Sequence, residues 1–368
     1  MKIYSLISSF LGLIVFGTNL SAQNLVVGTY TDNTQSKGIY IYDFNTNTAK
    51  ATEPSIANTG NPSFLTINKS NKFVYAVNEF DQGKVAAFSY DKSNAKLSFV
   101  NDIPNIGSAP CYISLDKTGK WLFVGNYGSG DLTVHPVHSD GSVGAIHQYI
   151  KHEGSSINKD RQGSSHVHCT FISADNKALF VPDLGLDKVM IYPFDVFTGL
   201  LDTSHKTWIP IKPGGGPRHI IFTKTGRFGY LIEEMSGNVH LIQKTGKDYK
   251  ITQTVNHLPK GQAGAGADIH LSPDEKFLYV SQRSNSTIEI YKVDKKNGRI
   301  RFIAVQSTMG NFPRNFTIHP SGKFLLAANQ RSGDITIFKR NPVTGLLIFT
   351  GERIKIDAPV CLQWIANQ

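Results

Sequence analysis

Cysteine is scarce in this 368-residue chain. Cys111, Cys169 and Cys361 are an odd number with no Cys-x-x-Cys spacing, which argues against a disulfide framework or a zinc knuckle. No run of five basic residues occurs, so although 38 Lys and Arg face 28 Asp and Glu, the formal charge of +10 is scattered and nucleic acid is not an expected partner. There is no Gly-x-Ser-x-Gly elbow, and no 3.6-residue apolar period that would indicate a helical solenoid. Long apolar runs are also missing. With 40% hydrophobic and 18% charged residues, the composition is that of a folded chain and excludes wholesale disorder.

The first residues read as a targeting segment. Lys2 supplies the positive start, Ile3 to Phe16 is mostly apolar, and Leu20-Ser21-Ala22 ends on a small residue, so residues 1–22 are expected to be a secretory signal. Ser8, Ser9, Gly12 and Gly17 interrupt it too often for a membrane span. The mature protein is therefore expected in the periplasm or outside the cell, without a membrane anchor; a cytoplasmic location follows only if that reading is wrong.

What is abundant is turn-punctuated alternation. Asn61-Pro-Ser-Phe-Leu-Thr-Ile-Asn-Lys-Ser-Asn-Lys-Phe-Val-Tyr-Ala-Val-Asn78 aligns with Ala109-Pro-Cys-Tyr-Ile-Ser-Leu-Asp-Lys-Thr-Gly-Lys-Trp-Leu-Phe-Val-Gly-Asn126, and the frame recurs from His166, Gly216, Ala265 and Phe312. In each copy 16 residues separate a starting residue from a strand end: Pro62 to Asn78, Pro110 to Asn126, Val167 to Asp183, Pro217 to Glu233, Gly266 to Gln282 and Pro313 to Asn329. The starts are 48, 57, 50, 49 and 47 residues apart. Four short strands in about 50 residues is the signature of a propeller blade. Residues 25–61 and 359–368 together make 47 residues, one further repeat, with Pro359-Val-Cys-Leu-Gln-Trp-Ile365 as its first strand. An all-β, seven-bladed β-propeller over residues 24–368, with both termini sharing one blade, removes the two exposed edges.

The repeat frame also locates a mouth. A strand's start and its hairpin partner's end share one side of the ring, so positions one, 16 and 17 after each start should face it. Position one reads Ser63, Cys111, His168, Arg218, Ala267, Arg314 and Val360; position 17 reads Glu79, Tyr127, Leu184, Glu234, Arg283 and Gln330, with Tyr30 in the composite blade. His168, Arg218, Glu234, Arg283 and Arg314 thus form an anion-receiving pocket with a base in it. The competing reading is a set of blade-to-blade ion pairs, such as Glu234 with Arg218. His166 and His219 alternate with these residues, and Asp183 is expected to position an arginine. His135, His138 and His147 lack convergence and are expected at the surface, so no metal and no cofactor is expected.

Val124-Gly-Asn-Tyr-Gly-Ser-Gly130, His166-Val-His168, Val181-Pro-Asp-Leu-Gly185, Gly216-Pro-Arg-His219, Leu271-Ser-Pro-Asp274, Pro313-Arg-Asn-Phe316 and Ala327-Ala-Asn-Gln330 together resemble the seven-bladed β-propeller lactonase family over nearly the whole mature chain. The resemblance implies a 6-phosphogluconolactonase-like carboxylic-ester hydrolase acting on a small anionic sugar lactone. The family also looks like fungal propeller enzymes that close carboxymuconate into a lactone, and their site residues fall here on His168 or His166, Arg218, Glu234 and Arg283. The family's usual Asn-Glu is here Glu233-Glu234 and its Asn-Arg is Gln282-Arg283, which leaves open which glutamate faces inward.

Lactone hydrolysis needs an activated water, a stabilised oxyanion and a grip on the substrate. His168, Glu234 and Arg283 are assigned to the chemistry, and Arg218, Arg314, His166, His219 and Asp183 to substrate binding. Cys111 at the mouth is a weaker candidate nucleophile. Two alternatives stand beside hydrolysis: a periplasmic propeller that binds a sugar acid or a protein without chemistry, and a muconate-type cyclase running in the closing direction. Nothing in the residues signals an oligomer, and the chain is expected to act as a monomer.

Overall fold

The computed structural model describes residues 22–365 apart from Lys247 and Lys260. The expected leader over residues 1–22 therefore lies outside the described residues except for Ala22, which begins a strand. Seven antiparallel sheets make up the described chain. Blade 1 starts at Phe64–Ile67, blade 2 at Pro110–Leu115, blade 3 at Phe171–Ile172, blade 4 at Pro217–Phe222, blade 5 at Gly266–Leu271 and blade 6 at Pro313–Ile318. Blade 7 is the composite. Its innermost strand Pro359–Trp364 pairs with Ala22–Thr29, which pairs in turn with Gly38–Asn45, and the outer edge is split into Lys50–Ala51 and Ser55–Asn58.

Each second strand buries both faces, because alternate side chains reach alternate neighbouring blades. Seven apolar clusters result, one in each gap between blades. Phe123, Val167 and Val181 fill the gap between blades 2 and 3, for example, and Val26, Leu65 and Cys361 fill the one between blades 7 and 1. The polar turns between first and second strands work by a common device. One residue in each sits at positive φ (Asn71, Gly119, Asn176, Gly226, Glu275 and Gly322), while a side chain at the turn's start caps the amides that follow. In blade 2 that cap is Asp116, which accepts from the amides of Thr118 (2.9 Å) and Lys120 (2.8 Å).

A second shared irregularity aims the mouth. In blades 2, 4, 5, 6 and 7 the ladder between the first two strands shifts register at the top of the first strand, leaving Cys111, Arg218, Ala267 with Asp268, Arg314 and Val360 outside the pairing. A bulge of this kind turns one side chain out of the sheet's alternation. It is what turns Cys111, Arg218 and Arg314 toward the ring axis.

Candidate active site

At the mouth lies a cavity of about 420 Å³ lined by residues of all seven blades and one connecting segment. Tyr30, Glu79, Cys111, Tyr127, His168, Glu234, Arg283 and Arg314, all from the first and seventeenth positions of the repeat, are joined by Ala265, Phe312 and Arg161. The sixteenth positions do not join them, contrary to the expectation that both would face the mouth. Adjacent residues at a strand's end point to opposite faces, and the sixteenth turns back between the blades. Asn126 donates to Asp131 (2.7 Å) and Asn329 to Asp334 (3.1 Å). Glu233 follows the same rule. It is fully buried, paired with His240 (2.5 Å) and accepting from Asn238 (2.8 Å) and Ser236, so Glu234 is the glutamate that lines the cavity.

Glu234 is the hub. Its Oε1 accepts from Arg161 Nη2 at 2.5 Å; its Oε2 lies 3.0 Å from Arg218 Nε, 2.9 Å from Arg283 Nη2 and 3.6 Å from His168 Nε2. Burial alone would raise this carboxyl, but Arg283, Arg218 and Arg161 outweigh it and hold the group well below the usual carboxylate range. His168 is likewise buried, and desolvation together with the neighbouring Arg218 holds it well below the ordinary imidazole value, so it is neutral near pH 7. Arg218 sits beneath the cavity, 2% exposed, and also donates to the Ala267 carbonyl. Arg283 is fixed to the carbonyls of Ala265 and Gly266 (3.2 Å each) and brought down to about 10, by burial first. Arg314 lies over the Tyr30 ring at 5.4 Å, and among the described residues it has no hydrogen-bond or ion-pair partner; Tyr30, Glu79 and Glu234 keep it charged in spite of its burial. Tyr30 in turn donates to Glu79 at 2.9 Å.

The remaining sequence candidates stand near this group in other roles. His219 lies under His168, the two rings edge-to-face at 5.4 Å, and its Nδ1 is 2.9 Å from Asp268, which also pairs with His270 (2.8 Å) and accepts from Asn315 (2.6 Å). Burial and Arg218 bring His219 down to about 4. His166 stacks on Tyr127 at 4.5 Å, with Nδ1 2.7 Å from the Tyr127 carbonyl oxygen. Among the described residues Asp183 pairs with no arginine: it pairs with His152 (2.7 Å) and accepts from the amides of His166 and Leu186. Cys111 is 3.6 Å from His168, and burial pushes its thiol up, away from the thiolate a nucleophile needs. His135, expected at the surface, is instead fully buried and bonded to Thr133 (2.9 Å). Among the described residues no group of three or more His, Cys, Asp or Glu is arranged to hold a metal ion, and no helix is long and apolar enough to cross a membrane.

Arg161 is the charged lining residue that the repeat frame misses, because it belongs to no repeat position. The one long spacing, 57 residues between Pro110 and Val167, is its signal: the surplus forms the segment between blades 2 and 3 that carries Arg161 over the mouth.

Comparison with known proteins agrees with this fold. Residues 24–364 match the family model described as "Lactonase, 7-bladed beta-propeller". A 6-phosphogluconolactonase of Formosa agariphila is 36% identical over 347 residues, covering 92% of this chain and 98% of the relative; that of Bacillus subtilis is 32% identical, covering 92% and 97%. Among solved structures, the periplasmic gluconolactonase of Pseudomonas aeruginosa superposes with a TM-score of 0.89 at 34% identity, covering 94% of this chain and 99% of that one.

Proposed function

The chain belongs to the seven-bladed β-propeller lactonase family, and from that premise we propose that it hydrolyses a sugar-acid lactone in the manner of a 6-phosphogluconolactonase. The observation that carries the mechanism is a neutral His168 beside an ionised Glu234 in a cavity rich in guanidinium groups. His168 accepts a proton from water as the water oxygen attacks the lactone carbonyl, and Glu234 stabilises the imidazolium that forms. Arg283, on the far side of Glu234, receives the oxyanion. Collapse of the tetrahedral intermediate breaks the ring C–O bond, and the imidazolium returns its proton to the departing alkoxide, so a hydroxy acid leaves and His168 is again neutral. Arg314, with its charge unspent, binds the substrate's anionic group. Glu234 is too tightly held by arginine to be the better base.

A periplasmic site of action fits the targeting segment and the likeness to a periplasmic gluconolactonase, which favours a lactone met outside the cytoplasm. The test is hydrolysis of aldonolactones, phosphorylated and plain, by mature protein and an Arg283→Ala variant, corrected for spontaneous opening. Turnover above background, reduced about 100- to 1,000-fold in the variant as for loss of an oxyanion donor, is the expected result. No turnover of any lactone would favour a sugar-acid-binding protein instead.

A further inference from the structure

Three arginines reach Glu234, and they are not equivalent. Arg218 and Arg283 are buried to within 8% exposure and are each tied to strand carbonyls as well as to the carboxylate. The Arg161 side chain is 45% exposed, and its one other partner among the described residues is the Tyr127 hydroxyl at 3.2 Å. It can therefore leave Glu234 without stranding a buried charge, whereas the other two cannot.

The segment that holds it is firmly built. Asp183 grips its two ends, through His152 and the His166 amide. Tyr192 donates to or accepts from the other nitrogen of His152 (2.8 Å), and Ser165 donates to the carbonyls of Gly130 (3.0 Å) and His152 (2.8 Å). Nearer the tip, Gln162 donates to the Leu184 carbonyl (2.9 Å), and Asn158 Oδ1 accepts from the Arg161 amide (3.1 Å). A fixed base with a long, half-exposed cation at its tip is a device for placing one charge at the rim while letting its partner change. The cavity wall and the two buried arginines beneath Glu234 present four guanidinium groups and two carboxylates in all, a formal excess of positive charge that an anionic ligand would balance.

We propose that Arg161 is an exchangeable anion clasp. With the site empty it pairs with Glu234; when a substrate bearing an anionic group remote from the neutral lactone carbonyl enters, Arg161 transfers to that group beside Arg314, closes the rim and leaves Glu234 to His168, Arg218 and Arg283. Arg161 is thus a specificity-determining residue, one that selects a phosphorylated lactone over the same ring without phosphate. This rests on the lactonase reading above.

The test compares wild type, Arg161→Ala and Arg161→Lys on 6-phosphogluconolactone and gluconolactone, together with calorimetric binding of the two ring-opened acids, 6-phosphogluconate and gluconate. The expected result for Arg161→Ala is a KM for the phosphorylated lactone raised about 10- to 100-fold with kcat within about threefold, a loss at least about fivefold larger than any on gluconolactone, whose neutral ring offers Arg161 no anion. Binding of 6-phosphogluconate should weaken by the same factor as KM and that of gluconate should hold, with Arg161→Lys between, since it keeps the charge and loses the fork. Equal losses on both lactones, or none, would overturn the clasp while leaving the lactonase standing. If neither lactone is turned over but Arg161→Ala still weakens 6-phosphogluconate alone, the lactonase reading fails and the clasp stands. Failure of wild type to bind either acid would overturn the clasp as well.

Discussion

At the scale of single residues, adjacent glutamates have opposite work. Glu233 and Glu234 are indistinguishable by composition, and the family pattern carries an asparagine where Glu233 stands. The repeat frame separates them once strand alternation is applied. Glu233 shares a position with Asn126 and Asn329, which brace their own blades, and Glu234 shares one with Tyr127 and Arg283, which line the mouth. Glu234→Gln should fold and lose about 10²- to 10⁴-fold in kcat/KM, because the imidazolium loses its counter-charge. Glu233→Gln should keep kcat within a few-fold and instead lower the melting temperature, since it disturbs His240 and Asn238. Steady-state kinetics and thermal melts of the two variants decide it; comparable kinetic losses in both would contradict the assignment. Side chains such as His168 and Arg314 were legible from the sequence because the frame repeats. The hydrogen bonds of Asp183 and the burial of His135 were not, since the first depend on how the segment between blades 2 and 3 folds back and the second on the return of the chain at Gly144 over the third strand of blade 2.

At the scale of elements, the strands, their turns and the shared seventh blade follow from alternation and Gly-rich punctuation. Two features do not. A bulge adds a residue to a ladder without altering the apolar pattern, so the device that turns Cys111, Arg218 and Arg314 to the axis leaves no mark in the sequence beyond the constant spacing. The segment carrying Arg161 is visible only as a long interval, which tells of extra chain but not where its tip lies. The composite blade makes a specific demand on Pro359–Trp364, which must fill the gaps to blades 6 and 1 at once. Leu362, 2% exposed, packs with Leu25, Val27 and Leu326. Leu362→Ala should cost about 2–5 kcal/mol of stability, while Ile348→Ala on an outer strand, 67% exposed, should be nearly neutral. Denaturant midpoints measure both, and an equal effect would mean that the terminal strand does not bear on ring closure.

At the scale of the whole molecule, the ring gathers charge onto its axis that no single blade contains. Arginines from blades 4, 5 and 6 and from the segment before blade 3 surround one carboxylate, while the axis below is filled by His219, Asp268, Phe64 and Tyr112, the last two stacked at 4.0 Å. Burial first, and this surrounding positive field second, are why His168 stays unprotonated. The central claim is that His168 serves as a neutral base poised by that field, and the pH dependence of kcat/KM on a lactone, corrected for spontaneous hydrolysis, tests it most directly. A base works only when deprotonated, and a pKa lowered from 6.5 moves the acid limb downward. Catalytic efficiency should therefore be flat from about pH 6.5 to 8, fall only at more acid pH, and vanish to background in His168→Ala. A rate that still climbs tenfold between about pH 6.5 and 7.5, or one that survives in His168→Ala, would contradict the account.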